Sequence, residues 1–594
     1  MKFSLSSIAI WIIVLACLTI NFSIGKFEKP KDVIKDDVVI YYQYLPLIFI
    51  YNDIKFEKKY GEGSTKDCIF WPMYTPEWKS VIKMTTGLAI LYSPFFFIAH
   101  SIALLFDYNA DGYSQPYTTM LLISTIFYLA LGLYFLKKTL NHYLFSDTII
   151  AITILLLGLG TNLLCYASQS APMPHVYLFC LISIFFYYTI KWYQSPTIKN
   201  SLIVGFTTGL TTLTRPSDGI IIILFILYGI SNFADIKTRI ILFRKKFFFL
   251  LLIIVSAFLV FVPQFVYWKI ATGHFFYYSY NDERFFFNQP RIIEGLFSFR
   301  KGWFVYTPMM LFAFAGMFLM TNELKKLRSA IWLFTFVNFY IIFSWWCWWY
   351  GGSFGLRSMI DSYAIMALPL ASTLSYINTN KKILKIGFYS TAIFFIWLNI
   401  FQTYQFENKV MHYDGLNRKL YFKIFGKTKW KPEYDEAATS IDAREAKLGR
   451  NGIYEPAFPS ASFVSEDTVF IRSLSGGFLT LDSTEKKFGL FSTNVELPGE
   501  NETFILKKLH NGQYAITGTN KLYVSANLAK NGEISASERE MRLWETFTLI
   551  DLPNEFFAIK AANGKYISTD KNSLQLSAKS DVISDSETFE IIKP

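Results

Sequence analysis

Apolar stretches long enough to cross a bilayer recur as far as about residue 404, near 6–24, 85–106, 116–136, 147–165, 174–190, 200–213, 218–232, 247–270, 303–321, 329–346, 359–377 and 383–403. A hydrocarbon layer about 30 Å thick takes roughly 20 residues of apolar helix to traverse. So many runs of that length predict a polytopic α-helical membrane protein. Composition agrees, with 52% hydrophobic and 19% aromatic residues against 17% charged. The formal charge of +12 is then a topology signal in short loops, and no nucleic-acid partner is expected. Cys17, Cys68, Cys165, Cys180 and Cys347 show no CxxC spacing, so neither a disulfide framework nor a zinc site is expected.

Charge orients the spans. Basic clusters at Lys137/Lys138, Lys191/Lys199, Lys237–Lys246, Lys325–Arg328 and Lys381–Lys385 alternate with loops at 107–115, 165–173, 214–217 and 346–356, which hold only Arg215. Basic loops stay in the cytoplasm. With Lys2 inside, every basic cluster lands inside only if 85–106 does not cross. The expectation is therefore about 11 crossings, with 85–106 interfacial or re-entrant and kinked at Pro94, and with the first run an uncleaved first helix. The cytoplasmic loops read as plain basic connectors. Regions 25–115, 271–302 and 346–357 share the outer face with everything after about 404.

The tail changes character. Residues 405–463 read as a charged juxtamembrane linker, and 464–594 as short strands with Gly/Asn turns. Glu502-Thr503-Phe504, Glu545-Thr546-Phe547 and Glu587-Thr588-Phe589 recur at about 43-residue spacing, and Ile534-Ser535-Ala536 answers Leu576-Ser577-Ala578. Three such repeats predict an exported all-β domain of β-trefoil type, and their pattern resembles fascin-like repeats.

Polar residues at the outer membrane edge are the candidate site. Asp36 and Asp37, followed by Tyr41 and Tyr42, lie just after the first span, where a poorly solvated carboxylate seeks a partner. A solvated helix with an aromatic belt is the plainer reading. Lys83 opens the 85–106 run, and its ammonium suits a phosphate or simply snorkels to headgroups. His175 begins a span and can contact sugar or relay a proton, or fill a structural role. Asp282 and Glu283 sit in an aromatic loop that suits carbohydrate or pairs with itself. Trp345–Arg357 combines tryptophans with three glycines and ends on a guanidinium suited to bidentate phosphate binding.

These motifs, in this order, resemble the GT-C class of polytopic glycosyltransferases, and within it a bacterial group. The residues that carry the resemblance are Asp37–Pro46, Lys83–Phe96, Ala110–Ser114, Leu213–Pro216, Trp345–Arg357 and His412–Asp414, covering about residues 1–430. The resemblance implies a GT-C-like domain over 1–404 in a bacterial inner membrane. It also implies inverting transfer of one sugar from a polyprenyl-phosphate donor to a glycan, lipid or protein acceptor on the periplasmic face. Asp37 is then the base or acceptor-orienting group, with Asp36 the fallback. Lys83, Arg357 and, more weakly, Arg215 hold the departing phosphate, while His175, Asp282, Glu283, Tyr41 and Tyr42 line the sugar or acceptor site. Membrane lipid and the lipid-linked donor are the expected partners, and no further cofactor is required. A divalent metal stays open but is disfavoured, since 165–173 lacks the second acid that many such enzymes carry. Protein O-mannosyltransferases resemble this layout in carrying trefoils, which implies glycan or acceptor binding for the tail, or a structural cap. The alternatives are a transporter or flippase of lipid-linked sugars, which needs no base, and a non-catalytic membrane-anchored carbohydrate-binding protein.

Overall fold

The computed structural model describes residues 4–594 apart from 57–69, 71, 76, 78, 442, 451–452, 455–462, 476, 482–489, 494, 496, 511, 528–531, 539–540, 542 and 571–572; Cys68 lies outside the described residues. The chain divides into two units, Met1–Lys431 and Pro432–Pro594.

The first unit is helical. It opens with α1 (Leu5–Ser23), α2 (Asp37–Tyr42), α3 (Tyr44–Phe49), the short pair β1 (Met73–Tyr74) and β2 (Ser80–Val81), and α4 (Gly87–Leu105). Then come α5 (Gln115–His142), α6 (Asp147–Leu159), α7 (Leu163–Ala167), α8 (Pro174–Gln194), α9 (Ile198–Thr214), α10 (Ile222–Ile226), α11 (Phe233–Lys245), α12 (Phe247–Leu259) and α13 (Val262–Thr272). It closes with α14 (Ile292–Phe297), α15 (Trp303–Tyr306), α16 (Met309–Leu319), α17 (Asn322–Lys325), α18 (Arg328–Ser344), α19 (Tyr363–Thr379), α20 (Lys382–Glu407) and α21 (Arg418–Ile424). Among the described residues, six helical stretches are long and apolar enough to cross a membrane: α1, α4, α5, α8, the run α12–α13, and α20. Shorter helices fill the remaining runs.

Chain chemistry explains the breaks. Asp111 Oδ1 accepts from the backbone N–H groups of Tyr113 and Ser114 at 2.8 and 2.9 Å, turning the chain into α5. The basic stretch expected as a plain connector is helical instead. Asn232 and Asp235 form a capping box that starts α11, and Arg239 stacks 4.1 Å from the Tyr193 ring. Gly205 and Gly209 let α9 close on α12, since a Cβ at either would meet the carbonyl of Ile253 or Ala257 within 2.5 Å. Lys137, late in α5, donates to the Ser4 and Ser7 hydroxyls at 2.8 and 2.7 Å. α4 lies along the first half of α5, with Phe96 5.5 Å from Tyr117 and the Leu91 carbonyl accepting from Tyr128. Its start meets the end of α9, where Thr85 donates to the Leu213 carbonyl.

The second unit begins with β3 (Ser440–Ile441), α22 (Ala443–Lys447) and β4 (Ile453–Tyr454). An antiparallel sheet follows: β5 (Phe463–Ser473), β6 (Gly477–Leu481), β7 (Leu490–Thr493), β8 (Thr503–Leu509), β9 (Tyr514–Gly518) and β10 (Tyr523–Asn527). It continues through β11 (Glu533–Glu538), β12 (Phe547–Asp551), β13 (Phe556–Ala561), β14 (Tyr566–Thr569), β15 (Leu576–Ser580) and β16 (Thr588–Ile592). Among the described residues, six strands close a ring in the order β5-β8-β9-β12-β13-β16, and β16 returns to β5. Three hairpins, β6–β7, β10–β11 and β14–β15, complete the threefold pattern.

The sequence repeat has a packing cause. Phe504, Phe547 and Phe589 are fully buried in one core together with Ile534, Ala536, Leu576 and Ala578. Each preceding glutamate is buried and needs a donor. Glu502 accepts from the Gly499 N–H at 2.8 Å and Glu587 from the Ser584 N–H at 2.9 Å. Glu545 also takes both arms of Arg444, at 2.7 and 2.9 Å, and Arg444 lies 4.1 Å from the Trp544 ring. The second repeat thus holds α22 against the sheet.

Candidate functional site

α2 sorts the first motif by helical phase. The residue before it, Asp36, has φ 50° and is exposed, whereas Asp37 opens the helix. Tyr41 follows one turn later on the same side. Both line a cavity of about 280 Å³ within the helical unit, as do Lys83, His175, Arg215, Glu283 and Arg357. The remaining wall is aromatic, from Tyr278, Tyr280, Phe285, Trp345, Trp346 and Tyr350. Residues singled out in six separate stretches of the chain therefore meet at one place.

Three of the residues named from sequence fall outside it. Asp36 and Asp282 are exposed. Tyr42 faces away from Asp37, packed among Tyr92, Phe96 and Tyr113, and its hydroxyl donates to the Gly112 carbonyl at 2.5 Å. Ala110–Ser114, through the Asp111 carboxylate, and Leu213, through its carbonyl, fix α5 and α4 as described above.

Charges in the cavity come in pairs. Arg357 Nη2 lies 2.8 Å from Asp37 Oδ2, Lys83 Nζ 2.5 Å from Glu283 Oε1, and Arg215 Nη1 2.5 Å from Asp361 Oδ2. Asp361 also sits 3.0 Å from His175 Nδ1. Lys83 lies 5.2 Å from the Tyr280 ring centre and Arg215 5.5 Å from that of Tyr350. Burial pushes the Tyr41, Tyr280 and Tyr350 hydroxyls well above their usual range, so all three stay protonated donors. Three cations and three carboxylates leave little net charge, and all but Asp361 line the cavity, where a ligand can replace the partner. Among the described residues no group of three or more His, Cys, Asp or Glu could hold a metal ion.

Sequence reasoning did not single out Asp361. It lies four residues after Arg357, in the run read as a plain span. An acid inside such a run is costly unless paired, and that was the available signal. Asp218, three residues after Arg215, is buried in the same way.

Two buried lysines hold the walls. Lys301 donates to the carbonyls of Ser353 and Tyr413, and Arg300 to that of Asp414. Their hold fixes the loop in which Tyr350, Gly351 and Gly355 all take positive φ and which delivers Arg357. Lys26 donates to the carbonyls of Ser168, Gln169 and Ala171, the segment leading to His175. Burial pulls both lysines from 10.5 down to about 7. Between about pH 7 and 10.5 the unfolded chain keeps protons that the native state has lost, so stability rises with pH there. The apparent Tm in detergent is expected to be higher at pH 9 than at pH 7. A Lys26→Met/Lys301→Met variant is expected to lose most of that gain.

No family model matches the chain, and no curated protein matches it. Solved structures similar to part of it include ThreeFoil, a designed threefold-symmetric protein, at 14% identity over 21% of this chain and 99% of that one, with TM-score 0.20. SeviL, solved bound to the asialo-GM1 saccharide, matches at 16% identity over 22% and 98%, with TM-score 0.19. The BEL β-trefoil matches at 14% identity over 23% and 97%, with TM-score 0.20.

Proposed function

We propose that the chain is an inverting membrane glycosyltransferase of GT-C type, moving a sugar from a polyprenyl-phosphate donor to a glycan, lipid or protein acceptor. The observation that carries this reading is the single cavity in which Lys83, Arg215 and Arg357 meet Asp37, Glu283 and His175 between aromatic walls. Phosphate recognition wants converging cations, and guanidinium offers two parallel donors. Sugar rings stack on aromatic faces while their hydroxyls take carboxylates and tyrosine donors. Departure of a lipid phosphate needs its growing negative charge stabilised by groups already in place. Lys83, Arg215 and Arg357 supply that charge. Asp37, one-third exposed beside Arg357, orients the acceptor, and Glu283 and Tyr41 line the sugar.

The topology of this reading has about 11 crossings, with α4 along the outer face and the tail, a β-trefoil, in the periplasm of a bacterium. The trefoil recruits glycan or acceptor. Alkaline phosphatase fused after residue 112 is expected to be active, and a fusion after 140 inactive. The reverse pattern would place the cavity on the wrong face for this reaction.

The direct test incubates purified protein with a panel of radiolabelled polyprenyl-phosphate sugars and follows transfer or hydrolysis. Turnover of one donor supports the transferase. Movement of labelled lipid across a vesicle with no turnover supports a flippase instead, and binding of free glycan alone supports an anchored carbohydrate-binding protein.

A further inference from the structure

We propose that His175, with its ring fixed by Asp361, takes the proton from the acceptor hydroxyl. This rests on the transferase reading and assigns the base within it. His175 Nδ1 lies 3.0 Å from Asp361 Oδ1, and the other oxygen of that carboxylate is held by Arg215 at 2.5 Å. A carboxylate oxygen that accepts from the ring selects the imidazole tautomer that carries its proton on Nδ1. Nε2 is then left basic, the arrangement by which a carboxylate-oriented histidine deprotonates a hydroxyl in hydrolases.

Three further observations favour the imidazole over the neighbouring carboxylates. His175 lines the cavity although only 3% exposed. Among the described residues no hydrogen bond is made by Nε2, whereas Asp37 and Glu283 are engaged by Arg357 and Lys83. The ring is also immobilised, with Tyr166 packed against it at 5.2 Å and 84°. The sequence lacks an acid in 165–173, and Asp361 brings a carboxylate to that neighbourhood from 186 residues away. Asp361 is a positioning residue in this scheme, since it acts through the histidine.

The step balances as follows. The acceptor oxygen forms a bond to the anomeric carbon as its proton passes to Nε2. The bond from that carbon to the phosphate oxygen breaks, and its electron pair leaves on the phosphate, facing Arg357, Arg215 and Lys83. The imidazolium returns its proton to water after the products leave. The charged groups around His175 are Asp361, in contact with its ring, and Arg215, Arg357 and Asp37, with Asp218 beside Asp361.

The test uses the full chain and whichever polyprenyl-phosphate sugar the wild type turns over. Plots of kcat against pH for the wild type are expected to rise along one acidic limb. His175→Gln is expected to lose that limb and about 10²–10⁴-fold in kcat, with KM for the donor within a few-fold. Asp361→Asn is expected to cost at least about 10²-fold in kcat, because it no longer selects the tautomer. His175→Ala, checked for folding by donor binding, is expected to regain part of its rate with added imidazole, which a structural role would not produce. A His175→Gln variant that keeps the limb, or keeps more than about a tenth of kcat, overturns the assignment. So does a folded His175→Ala that imidazole leaves inert. In either case the wild-type turnover, and with it the transferase reading, still stands. A wild type that turns over no donor overturns both.

Discussion

Asp37→Asn is expected to lower transfer by about 10²-fold, while Asp36→Asn leaves it within a few-fold. The two carboxylates are neighbours in sequence, and only geometry separates them. Asp37 lies 2.8 Å from Arg357 on the cavity wall, whereas Asp36 sits exposed at φ 50° before the helix begins. Asparagine keeps the shape of Asp37 but removes the charge that holds both the guanidinium and an incoming hydroxyl in line. A displacement of about 1 Å at a reacting centre is enough to cost about 10²-fold. A freed Arg357 would also hold the donor phosphate more tightly, so KM for the donor is expected to fall as kcat falls. Exposed carboxylates such as Asp36 contribute little. Initial rates of the two variants decide the matter, and equal losses, or a larger loss for Asp36→Asn, would move the acceptor site off this wall.

Helical phase explains why Asp37 and Tyr41 were legible together while Tyr42 was not placed correctly. Residues four apart share a side, and the next residue turns about 100° away, which carries Tyr42 into the packing around Gly112. The tail was legible because a threefold core demands the same side chain at the same place, as Phe504, Phe547 and Phe589 show. One contact of that core was not legible. Nothing in Glu545 itself says that Arg444, 101 residues earlier, pairs with it. Asp361 was hidden for a related reason, since counting apolar residues treats a lone acid in a long run as noise. The runs near 147–165, 218–232 and 247–270 also proved to be broken helices, interrupted after Leu159, past Ile226 and around Phe261. Hydropathy registers burial in lipid or protein, and not the hydrogen-bond pattern within the run.

A larger loss than at Asp37 is expected at Arg357. Arg357→Gln is expected to lower transfer by about 10³-fold, near the top of the range for removing one preorganised charge from a site that stabilises a leaving anion. The guanidinium is only 17% exposed, so its charge is less screened than one at the surface. Its position depends on the loop that Lys301 pins at Ser353 and Tyr413, so it waits for the phosphate in place. Arg357→Lys is expected to recover only part of the loss, because ammonium restores the charge without the two-pronged donor geometry. Removing Arg357 also strands Asp37, and the two effects are not independent. The double variant Asp37→Asn/Arg357→Gln is therefore expected to lose much less than the product of the single losses. Strictly multiplicative losses in that cycle would mean that the pair does not work as a unit during transfer, and the phosphate would then have to be assigned to Lys83 and Arg215 alone.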